Sequence, residues 1–383
     1  MTASPDAPVL VVDAGSSSLR LALVDPARLA DAARPGAEEP VIDSAHVAKP
    51  PDSDDATAAV EDFLDRHRGA RPGRVGYRIV HGGGAVLAPT VADEAVIAAV
   101  RAVADLAPLH VPPTLRLLAA LRDRIRDAVH VLCPDTAFHA GLPAAASTYA
   151  LPANWRDRYD LRRYGFHGLS YAWALRRTGH LLGRDPSGLH VVMAHLGGGS
   201  SVTAVRDGAS VDTSMGLTPL DGVPMSTRSG AVDPGLLLWL LNDDRLTAEE
   251  LTEGLYRRSG LLGLSRGRSG DTRELVAAAA DGDADARLAM DVFTHRVRRE
   301  IAAAATSLAR LDVLVFTGEI GWDQPEVRHD VCAGLALLGV DLPVTGNRDD
   351  DGPISAADAS IPVLVVQTRE ELQLAQETLR ATS

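Results

Sequence analysis

Two segments of this chain repeat one plan: a short apolar run, a turn rich in glycine and serine, and a second apolar strand. They occupy residues 11–21 and 194–204. Because these side chains are small, the backbone N–H groups of such turns can approach a phosphate closely. Neither turn is followed by a helical pattern, which a P-loop or a dinucleotide-binding turn requires. Two phosphate-holding hairpins, one in each half, indicate a duplicated domain that binds a nucleotide.

Length and charge limit the class of protein. The 383 residues exceed a typical single domain of about 250–300 residues, so two domains are expected. A net charge of −13 argues against a nucleic-acid-binding surface. No apolar run approaches the roughly 18 residues that span a bilayer, and the first residues lack a signal-peptide pattern. We expect a cytoplasmic protein that binds neither nucleic acid nor a membrane.

Two residue types restrict the chemistry. Lys49 is the sole lysine, so a lysine Schiff base and a Walker lysine are excluded, and arginine, histidine and backbone must hold phosphate or carboxylate groups. Cys133 and Cys332 are isolated and have no partner at metal-ligand spacing. A disulfide framework or a zinc site is therefore not expected.

Apolar runs alternate with helical patterns along the chain, which predicts α/β layers. Strands are predicted at residues 9–12, 19–24, 75–80, 130–132, 191–194, 202–205, 313–317 and 363–366. Helices are predicted near residues 57–66, 93–106, 113–128, 170–182, 234–241, 285–308, 326–338 and 369–379. The two hairpins add antiparallel pairs, so mixed sheets are expected. Residues 26–55, acidic and rich in alanine and proline, are interpreted as a surface excursion.

Some polar residues stand where α/β proteins place functional groups. Arg78 lies near the end of a predicted strand and Asp135 follows another, and strand ends carry ligand sites in such folds. Each also has a structural interpretation, as a surface ion pair or a turn aspartate. Residues 212–234 have neither a helical nor a strand period, and their apolar content favours a binding loop over disorder.

Ordered motifs across nearly the whole chain resemble those of the acetate kinase family. In chain order they are DAGSSSLR at 13–20, YRIVHGG at 77–83, LAPLH at 106–110, PDTAFH at 134–139, RRYGFHG at 162–168, HLGGGSS at 195–201, DTSMGLTPLDG at 212–222, TRSGAVDP at 227–234, SGLLGLS at 259–265, DTRE at 271–274 and FTGEIG at 316–321. Any one of these is weak evidence, whereas the ordered set is specific.

The resemblance implies a fold and a division of the chain. The family belongs to the superfamily of actin, sugar kinases and heat-shock chaperones. It therefore implies an α/β fold of two duplicated actin-like (ribonuclease H-like) domains, each with a mixed five-stranded sheet flanked by helices. The first domain would span residues 1–137, completed by a C-terminal helix at 372–383. The second would span residues 138–371 and carry the nucleotide site.

The resemblance also implies a role for particular residues. The catalytic set would be Asp135, His167 and Arg228. The substrate-binding set would be Arg78, Val80, Leu109, Phe166 and Pro219. The magnesium positions would be Asp13 and Glu370. The nucleotide site would comprise Ser16, Ser18, Arg20, His195, Leu196, Gly197, Gly198, Gly199, Asp271, Thr272, Arg273, Glu319, Ile320, Gly321, Trp322 and Asp323.

The implied reaction is reversible phosphoryl transfer from ATP to acetate, giving acetyl phosphate and ADP by in-line attack of the carboxylate. Arginine forks match carboxylate and phosphate oxygens two at a time. Acetate, with a pKa near about 4, is already ionised at neutral pH, so we predict that Asp135 acts through the metal or its waters and not as an obligatory base. The family further implies Mg²⁺, with Mn²⁺ as the alternative ion, and a homodimer.

Several positions depart from the family pattern. Asp13 stands where acetate kinases usually carry Asn, Arg20 replaces Lys, and Gly198 replaces Asn. The usual Gly-Ile-Gly-Glu-Asn reads Glu-Ile-Gly-Trp-Asp at residues 319–323, and Gln-Thr-Arg-Glu at 367–370 replaces Pro-Thr-Asn-Glu. A glutamate near the nucleotide could bond a ribose or obstruct the base, so weakened ATP affinity or another phosphoryl donor is a hypothesis.

Other functions are compatible with parts of the sequence. Propionate or butyrate is the alternative substrate within the kinases, because one methylene is worth only about 1–3 kcal/mol in an apolar pocket. A nucleotide-binding protein without transferase activity is a second alternative. Gly-Leu-Ser-Arg-Gly at 263–267 fits a serine-hydrolase nucleophile elbow, with His-Gly-Gly-Gly at 81–84 as an oxyanion motif. The elbow needs a helix directly after Ser265, and the glycine- and arginine-rich residues that follow disfavour one.

Overall fold

The computed structural model describes residues 6–15, 18–51, 53–108, 110–342 and 350–383. The chain forms two compact units. The first unit comprises Met1–Ala140, Phe166–Gly183 and Arg369–Ser383, and the second comprises Gly141–Gly165 and Arg184–Thr368.

Each unit contains a sheet that has six strands within the described residues. The strands of the first unit are β1 (Val9–Ala14), β2 (Leu19–Val24), β3 (Val41–Val47), β4 (Arg74–Ile79), β5 (Thr90–Val91) and β6 (Val129–Pro134). Those of the second unit are β7 (His190–Leu196), β8 (Ser200–Arg206), β9 (Ala209–Thr213), β10 (Val313–Thr317), β11 (Gly352–Pro353) and β12 (Val363–Val365).

The two sheets have the same topology. The first has the order β3-β2-β1-β4-β6-β5 and the second, read from its other edge, β9-β8-β7-β10-β12-β11. In each, an antiparallel meander of three strands is followed by two strands parallel to the first, and a short antiparallel strand closes the edge. The predicted α/β class, mixed sheets and duplication are confirmed.

Helices cover the sheets. In chain order they are α1 (Pro26–Leu29), α2 (Asp54–Arg66), α3 (Glu94–Ala102), α4 (Val111–Arg124), α5 (Ala144–Ser147), α6 (Ala153–Tyr159), α7 (Gly168–Leu182), α8 (Pro234–Leu241), α9 (Ala248–Arg257), α10 (Gly260–Leu264), α11 (Thr272–Ala280), α12 (Ala284–Ala305), α13 (Gly318–Asp323), α14 (Pro325–Cys332) and α15 (Glu370–Arg380). Helices α1–α4, α7 and α15 lie in the first unit and the others in the second.

Side-chain caps begin several of these helices. The hydroxyl of Ser53 accepts a hydrogen bond from the first turn of α2, and the carboxylates of Asp93, Asp271 and Asp283 do the same for α3, α11 and α12. Such caps satisfy backbone N–H groups that have no partner inside the helix. The local sequence therefore determines where these helices start.

The C-terminal helix lies directly on the first sheet. A Cβ atom at Gly76 of β4 would lie 2.0 Å from the hydroxyl oxygen of Thr378 in α15, so only glycine admits this close approach. Arg74 Nε donates to the Thr382 hydroxyl at 2.9 Å. These contacts bring Glu370, the first residue of α15, to the first unit.

Some expectations from the sequence are corrected. Within the part of the chain that the structure describes, each sheet has six strands and not five, because β5 and β11 are two-residue edge pairings too short to leave a periodic pattern. The region 26–55 contains α1 and β3, an edge strand that alternates between half-buried and exposed residues. Residues 212 and 213 belong to β9, whereas residues 214–233 form a loop as predicted. No described helix is both long and apolar enough to cross a membrane.

Candidate active site

The first unit gathers charged residues at one edge of its sheet. Asp13 is the next-to-last residue of β1, Arg78 is the next-to-last residue of β4, and Asp135 follows β6 directly. Because β1, β4 and β6 are parallel neighbours, their carboxyl ends meet at this edge. The first and the last of these residues are 122 positions apart in the chain.

Arg78 bridges the two aspartates. Its Nε and Nη2 atoms donate to Oδ2 of Asp135 at 2.9 and 2.7 Å, and its Nη1 donates to Oδ1 of Asp13 at 3.0 Å. Only 1% of the Asp135 side chain is exposed, against 16% for Arg78 and 12% for Asp13. Charge-assisted hydrogen bonds of this kind fix a guanidinium in one orientation.

The cluster shifts the pKa values of its members. Burial raises the pKa of Asp135, and Arg78 opposes that shift. Burial favours a lower pKa for Arg78, but the carboxylates of Asp135, Asp13 and Glu370 hold it well above its ordinary value. Burial also raises the pKa of Glu370 to about 7, against the opposing charge of Arg78. The edge therefore concentrates more carboxylate charge than one guanidinium neutralises.

The start of α7 lies against Asp135. Gly168, the first residue of α7, would place a Cβ atom 2.1 Å from the carbonyl oxygen of Asp135, so glycine is required for this contact. His167 precedes it, is buried and adopts a left-handed backbone with φ of 59°. An unfavourable backbone conformation in a buried histidine is typical of a functional constraint. The fold thus brings His167 to the aspartate–arginine cluster.

Two predicted pocket residues of the first unit are buried at the same edge. Val80 follows β4 and Phe166 precedes His167, and 6% and 1% of them are exposed. The ring of His81 meets the ring of Phe166 edge-on, with centroids 5.5 Å apart. This contact places the residues after β4 next to those before α7.

The first glycine turn is a hairpin, as predicted. Gly15 N–H donates to the carbonyl oxygen of Ser18 at 2.9 Å, and Arg20 lies opposite Asp13 in the register of β1 and β2. Arg20 is exposed, Ser18 is half-buried, and Arg20 interacts electrostatically with Glu370. The predictions for Ser16 and Leu109 fall outside the described residues.

The carboxylates of this edge can hold a magnesium ion. Oδ1 of Asp135 is buried and lacks a hydrogen-bond partner among the described residues, and Asp13 and Glu370 supply further carboxylate oxygens. Among the described residues, no group of three or more histidine, cysteine, aspartate or glutamate side chains forms an all-protein metal cage. Magnesium keeps several waters and commonly uses one or two carboxylates beside substrate phosphates, so this donor set fits it.

In the second unit, the second glycine turn and α13 lie side by side. Residues 197–199 join β7 to β8, and Gly197 N–H and the Ser200 hydroxyl are 3.2 Å apart. Strand β10 pairs with β7 and leads directly into α13. Gly318 has φ of +81°, and a Cβ atom there would lie 2.3 Å from the carbonyl oxygen of Leu196. Glycine is therefore needed where the two segments meet.

A cavity of about 230 Å³ opens beside these segments. Its lining residues are Gly198, Ser226, Gly270, Asp271, Thr272, Arg273, Glu319, Ile320 and Gln324. Asp271 caps α11 and lies 3.4 Å from Arg273 Nε, and Arg273 Nη1 lies 3.8 Å from Asp323. Six of the residues predicted for the nucleotide site thus share one cavity.

Other predicted nucleotide residues lie around this cavity and do not line it. Trp322 packs against the hydrophobic core of the second unit, and its indole nitrogen is buried without a hydrogen-bond partner among the described residues. Gly321 is buried and Asp323 reaches Arg273. His195 and Leu196 end β7, and Gly197 and Gly199 flank Gly198 in the turn. The tryptophan that stands at position 322 in place of the family's usual glutamate therefore changes the packing behind the cavity.

The predicted binding loop holds Arg228, the arginine of the predicted catalytic set. Arg228 Nη1 donates to the carbonyl oxygen of Pro219 at 2.9 Å, which ties the two predicted residues of this loop together. Gly260 has φ of +60° and lies under the loop, where a Cβ atom would approach Met225 O at 2.1 Å. The loop is thus supported by α10 and keeps a defined path without helix or strand.

Sequence reasoning missed Ser226, Gly270 and Gln324, which also line the cavity. Gly270 immediately precedes the Asp-Thr-Arg motif, and a Cβ atom there would lie 2.9 Å from the carbonyl oxygen of Ser226. The position of Gly270 beside this motif could have indicated that it lies at the site. Ser226 and Gln324 carry no local pattern, because they reach the cavity only through the packing of the loop and α13.

The serine-hydrolase alternative is wrong. Ser265 directly follows α10 instead of a strand, and its hydroxyl donates to the carbonyl oxygen of Ser269 at 3.0 Å. A nucleophile elbow requires an exposed serine between a strand and a helix.

Similarity to known proteins identifies the class. The family model described as the acetokinase family matches residues 8–376, so the chain is a phosphotransferase with a carboxyl group as acceptor. An acetate kinase of Deinococcus deserti is 45% identical over 79% of this chain and 77% of its own length. The chain belongs to the acetokinase family.

Solved structures agree with this membership. An acetate kinase of Porphyromonas gingivalis has a TM-score of 0.85 at 31% identity and covers 98% of this chain and 100% of its own. A propionate kinase of Francisella tularensis has the same TM-score at 32% identity and covers 98% and 99%. The family fold therefore extends over nearly the whole chain, and both an acetate kinase and a propionate kinase are among the similar proteins.

Proposed function

We propose that this enzyme transfers the γ-phosphoryl group of ATP to acetate, reversibly, giving acetyl phosphate and ADP. The observation that carries the proposal is Arg78, held by Asp13 and Asp135 at the carboxyl edge of the first sheet. A guanidinium in a fixed orientation binds a carboxylate or a phosphoryl group at two points. Catalysis of phosphoryl transfer depends mainly on such positioning and on charge neutralisation.

In this proposal Arg78 and Arg228 bind the acetate carboxylate and the transferred phosphoryl group, and His167 joins Arg228 in stabilising the transition state. Val80, Leu109, Phe166 and Pro219 enclose the methyl group. A bound Mg²⁺, held by Asp13 and Glu370, would neutralise phosphate charge. Mn²⁺ is the alternative ion.

Asp135 is proposed to orient Arg78 and the waters of the metal. Acetate is ionised near neutral pH, so no proton has to be removed from it. Replacing Asp135 with Asn should therefore lower kcat without removing an acidic limb from the pH profile of kcat/KM. An acidic limb in wild type that disappears in an Asp135→Asn variant with unchanged magnesium affinity would show that Asp135 is a base.

The nucleotide is proposed to occupy the 230 Å³ cavity and the adjoining glycine turn of the second unit, at the residues predicted from the sequence. The supporting feature is the pairing of the turn at 197–199 with the start of α13, which places backbone N–H groups next to a cavity of mixed polarity.

The direct test is an assay of the purified protein with ATP, Mg²⁺ and acetate, in which acetyl phosphate is trapped by hydroxylamine and ADP is measured in parallel. Equal amounts of both products are expected. Propionate and butyrate are the comparison substrates, because a propionate kinase is among the similar structures. A kcat/KM for propionate above that for acetate would assign the alternative substrate. ADP release without an acyl phosphate would reject both.

We also propose a homodimer in the cytoplasm, where ATP is available. The supporting feature is α8, an apolar helix on the surface of the second unit. Leu238 and Trp239 are 64% and 53% exposed, and Leu236, Leu241 and the preceding Val232 are exposed beside them. An apolar patch of this kind marks a surface for protein association. The proposed partner is a second copy of this chain.

A further inference from the structure

A second large cavity lies in the first unit, at the sheet edge opposite the aspartate–arginine cluster. Its volume is about 450 Å³. Leu10 near the start of β1 and Leu23 near the end of β2 form part of its lining, and these residues are paired in the antiparallel register. Asp13 lies three residues further along β1, about 10 Å away at the rise of a strand. The cavity is therefore separate from the phosphoryl-transfer site.

The floor of this cavity is apolar. Leu10, Leu23 and Phe63 are each about 1% exposed, and Leu64 and Ile125 form half-buried walls. The cavity lies between the C-terminal end of α2 and the segment that follows α4. An apolar floor of this size can take the hydrocarbon or aromatic body of a small molecule.

The rim of the cavity is basic. Four arginines line it, Arg68, Arg71, Arg124 and Arg126, against two aspartates, Asp123 and Asp127, which gives a local excess of two positive charges. The whole chain carries a net charge of −13, so this excess runs against the overall composition. We call the site the basic cavity.

Ion pairs hold part of this rim in place. Arg68 and Arg124 both contact Asp65, at 2.9 and 3.3 Å, and so link the ends of α2 and α4. His67 Nε2 lies 2.8 Å from Asp43 of β3. Arg126 Nε donates to the carbonyl oxygen of Asp123 at 3.2 Å, whereas Arg71 makes no ion pair with a described residue. The rim thus offers guanidinium groups whose charge is not matched by a neighbouring carboxylate.

We propose that the basic cavity binds a small organic anion with an apolar body, at a site independent of acetate and nucleotide. The carboxylate, sulfonate or phosphate group of the ligand would contact Arg71 and Arg126, and its body would cover Leu10, Leu23 and Phe63. A strongly charged polyphosphate would leave the apolar floor unused, and a neutral apolar molecule would leave the arginines unpaired. Only an amphipathic anion matches both surfaces.

The test is a fluorescence titration of the full-length enzyme with 8-anilinonaphthalene-1-sulfonate, in saturating Mg²⁺, ATP and acetate so that the substrate sites are filled. We expect saturable binding that weakens with salt, as expected for partly exposed charges. The double variant Arg71→Ala/Arg126→Ala should bind the probe at least about tenfold more weakly. The matched control Arg28→Ala/Arg101→Ala, with the same charge change elsewhere on the first unit, should bind like wild type.

A second variant separates filling of the cavity from loss of charge. Leu64→Trp should occupy the cavity and weaken probe binding by a similar factor while acetate kinase activity stays unchanged. The neutral analogue N-phenyl-1-naphthylamine should bind wild type more weakly than the sulfonate does. Equal probe affinity in wild type, the double variant and Leu64→Trp would overturn the proposal, because the probe would then bind elsewhere. Loss of binding when ATP is added would overturn its independence from the nucleotide site.

Discussion

At the residue scale, the site of the first unit depends on one guanidinium between two carboxylates. Arg78 is the sole described group that donates at two points to Asp135, which is almost fully buried. Lysine at the same position would keep the positive charge but lose the planar fork. This makes the geometry of Arg78, and not its charge alone, the property to test.

We predict that Arg78→Lys lowers kcat/KM for acetate at least about 100-fold, because the lysine ammonium cannot hold both Asp13 and Asp135 in the present arrangement. Arg78→Ala should also lower the free energy of unfolding by about 3–5 kcal/mol, since it leaves a buried carboxylate without its partner. Steady-state kinetics and urea unfolding measure the two effects. Arg74→Lys on the same strand is the control, and an Arg78→Lys variant with nearly normal kcat/KM would contradict the prediction.

Glu319, like Gly198, is a departure from the family pattern that lines the second unit's cavity. Its carboxylate adds negative charge where a nucleotide is proposed to bind, so Glu319→Gly should lower KM for ATP about three- to tenfold with little change in kcat. Glu319→Gln separates the charge from the volume of the side chain. A higher KM in the glycine variant would instead indicate that Glu319 bonds the nucleotide.

His139 makes the stability of the first unit depend on pH. Burial lowers its pKa to about 4, and its Nε2 lies 3.0 Å from the carbonyl oxygen of Phe166. Between pH 6.5 and 4 the unfolded chain binds a proton at His139 that the folded protein does not bind. The contribution of neutral His139 to the free energy of unfolding is therefore complete above pH 6.5 and is lost as the pH falls towards 4. Across that interval the free energy of unfolding falls by about 3 kcal/mol.

His139→Gln should therefore flatten the dependence of the unfolding free energy on pH between 6.5 and 4, measured by urea titrations at a series of pH values. His46→Gln, at an exposed position of β3, is the matched control and should leave the slope unchanged. If both variants kept the slope of wild type, another group would account for the acid sensitivity.

At the element scale, glycines set how closely segments approach. Gly76 lets α15 lie on β4, Gly168 lets α7 reach Asp135, and Gly318 lets α13 reach the end of β7. Each is required by a contact to a residue far away in the chain. Gly198 differs, because a Cβ atom there would have no neighbour within 4 Å.

This contrast predicts different outcomes for two alanine substitutions in adjoining segments. Gly318→Ala combines a left-handed φ with a Cβ atom 2.3 Å from Leu196 O, so it should cost about 2 kcal/mol or more and raise KM for ATP as α13 shifts. Gly198→Ala should change the unfolding free energy by less than about 0.5 kcal/mol. Urea unfolding and nucleotide kinetics compare them, and equal effects of the two substitutions would refute this account of α13.

At the scale of the whole molecule, the two units repeat one sheet topology down to the short edge strand. The two units differ in the residues that lie at the carboxyl ends of their parallel strands. The first unit holds a buried carboxylate–arginine cluster, and the second holds a cavity beside a glycine turn. The division agrees with the proposal that Arg78 of the first unit binds the acceptor and that the cavity of the second unit binds the nucleotide.

The proposed dimer is also a property of the whole molecule. Leu238→Asp places a charge in the centre of the exposed apolar face of α8, so it should shift the assembly towards monomer. Sedimentation velocity at several protein concentrations measures this. Leu288→Asp, an equally apolar residue that is 51% exposed on α12, should leave the assembly unchanged. A wild-type monomer at all concentrations would reject the dimer.

The sequence by itself determined what local patterns encode. Alternating apolar residues and glycine turns predicted eight strands and both hairpins, and the ordered motifs identified the family. The edge strands β3, β5, β9 and β11 and the helices α1, α5, α6, α9, α10, α11 and α13 were missed. Most of these elements are short or half-exposed. Helix α9 has a capping box of Thr247 and Glu250, but it begins beside a loop that has no clear period.

Only the tertiary structure decided which distant residues meet. The pairing of Arg78 with Asp13 and Asp135, the place of Ser226 and Gln324 in the cavity, and the basic cavity all join residues that are far apart in the chain. The physical reason is that periodicity reports which face of an element is buried, whereas such contacts depend on how sheets and helices pack. The sequence therefore predicted that the two glycine turns are hairpins, but it did not predict which distant residues lie beside them.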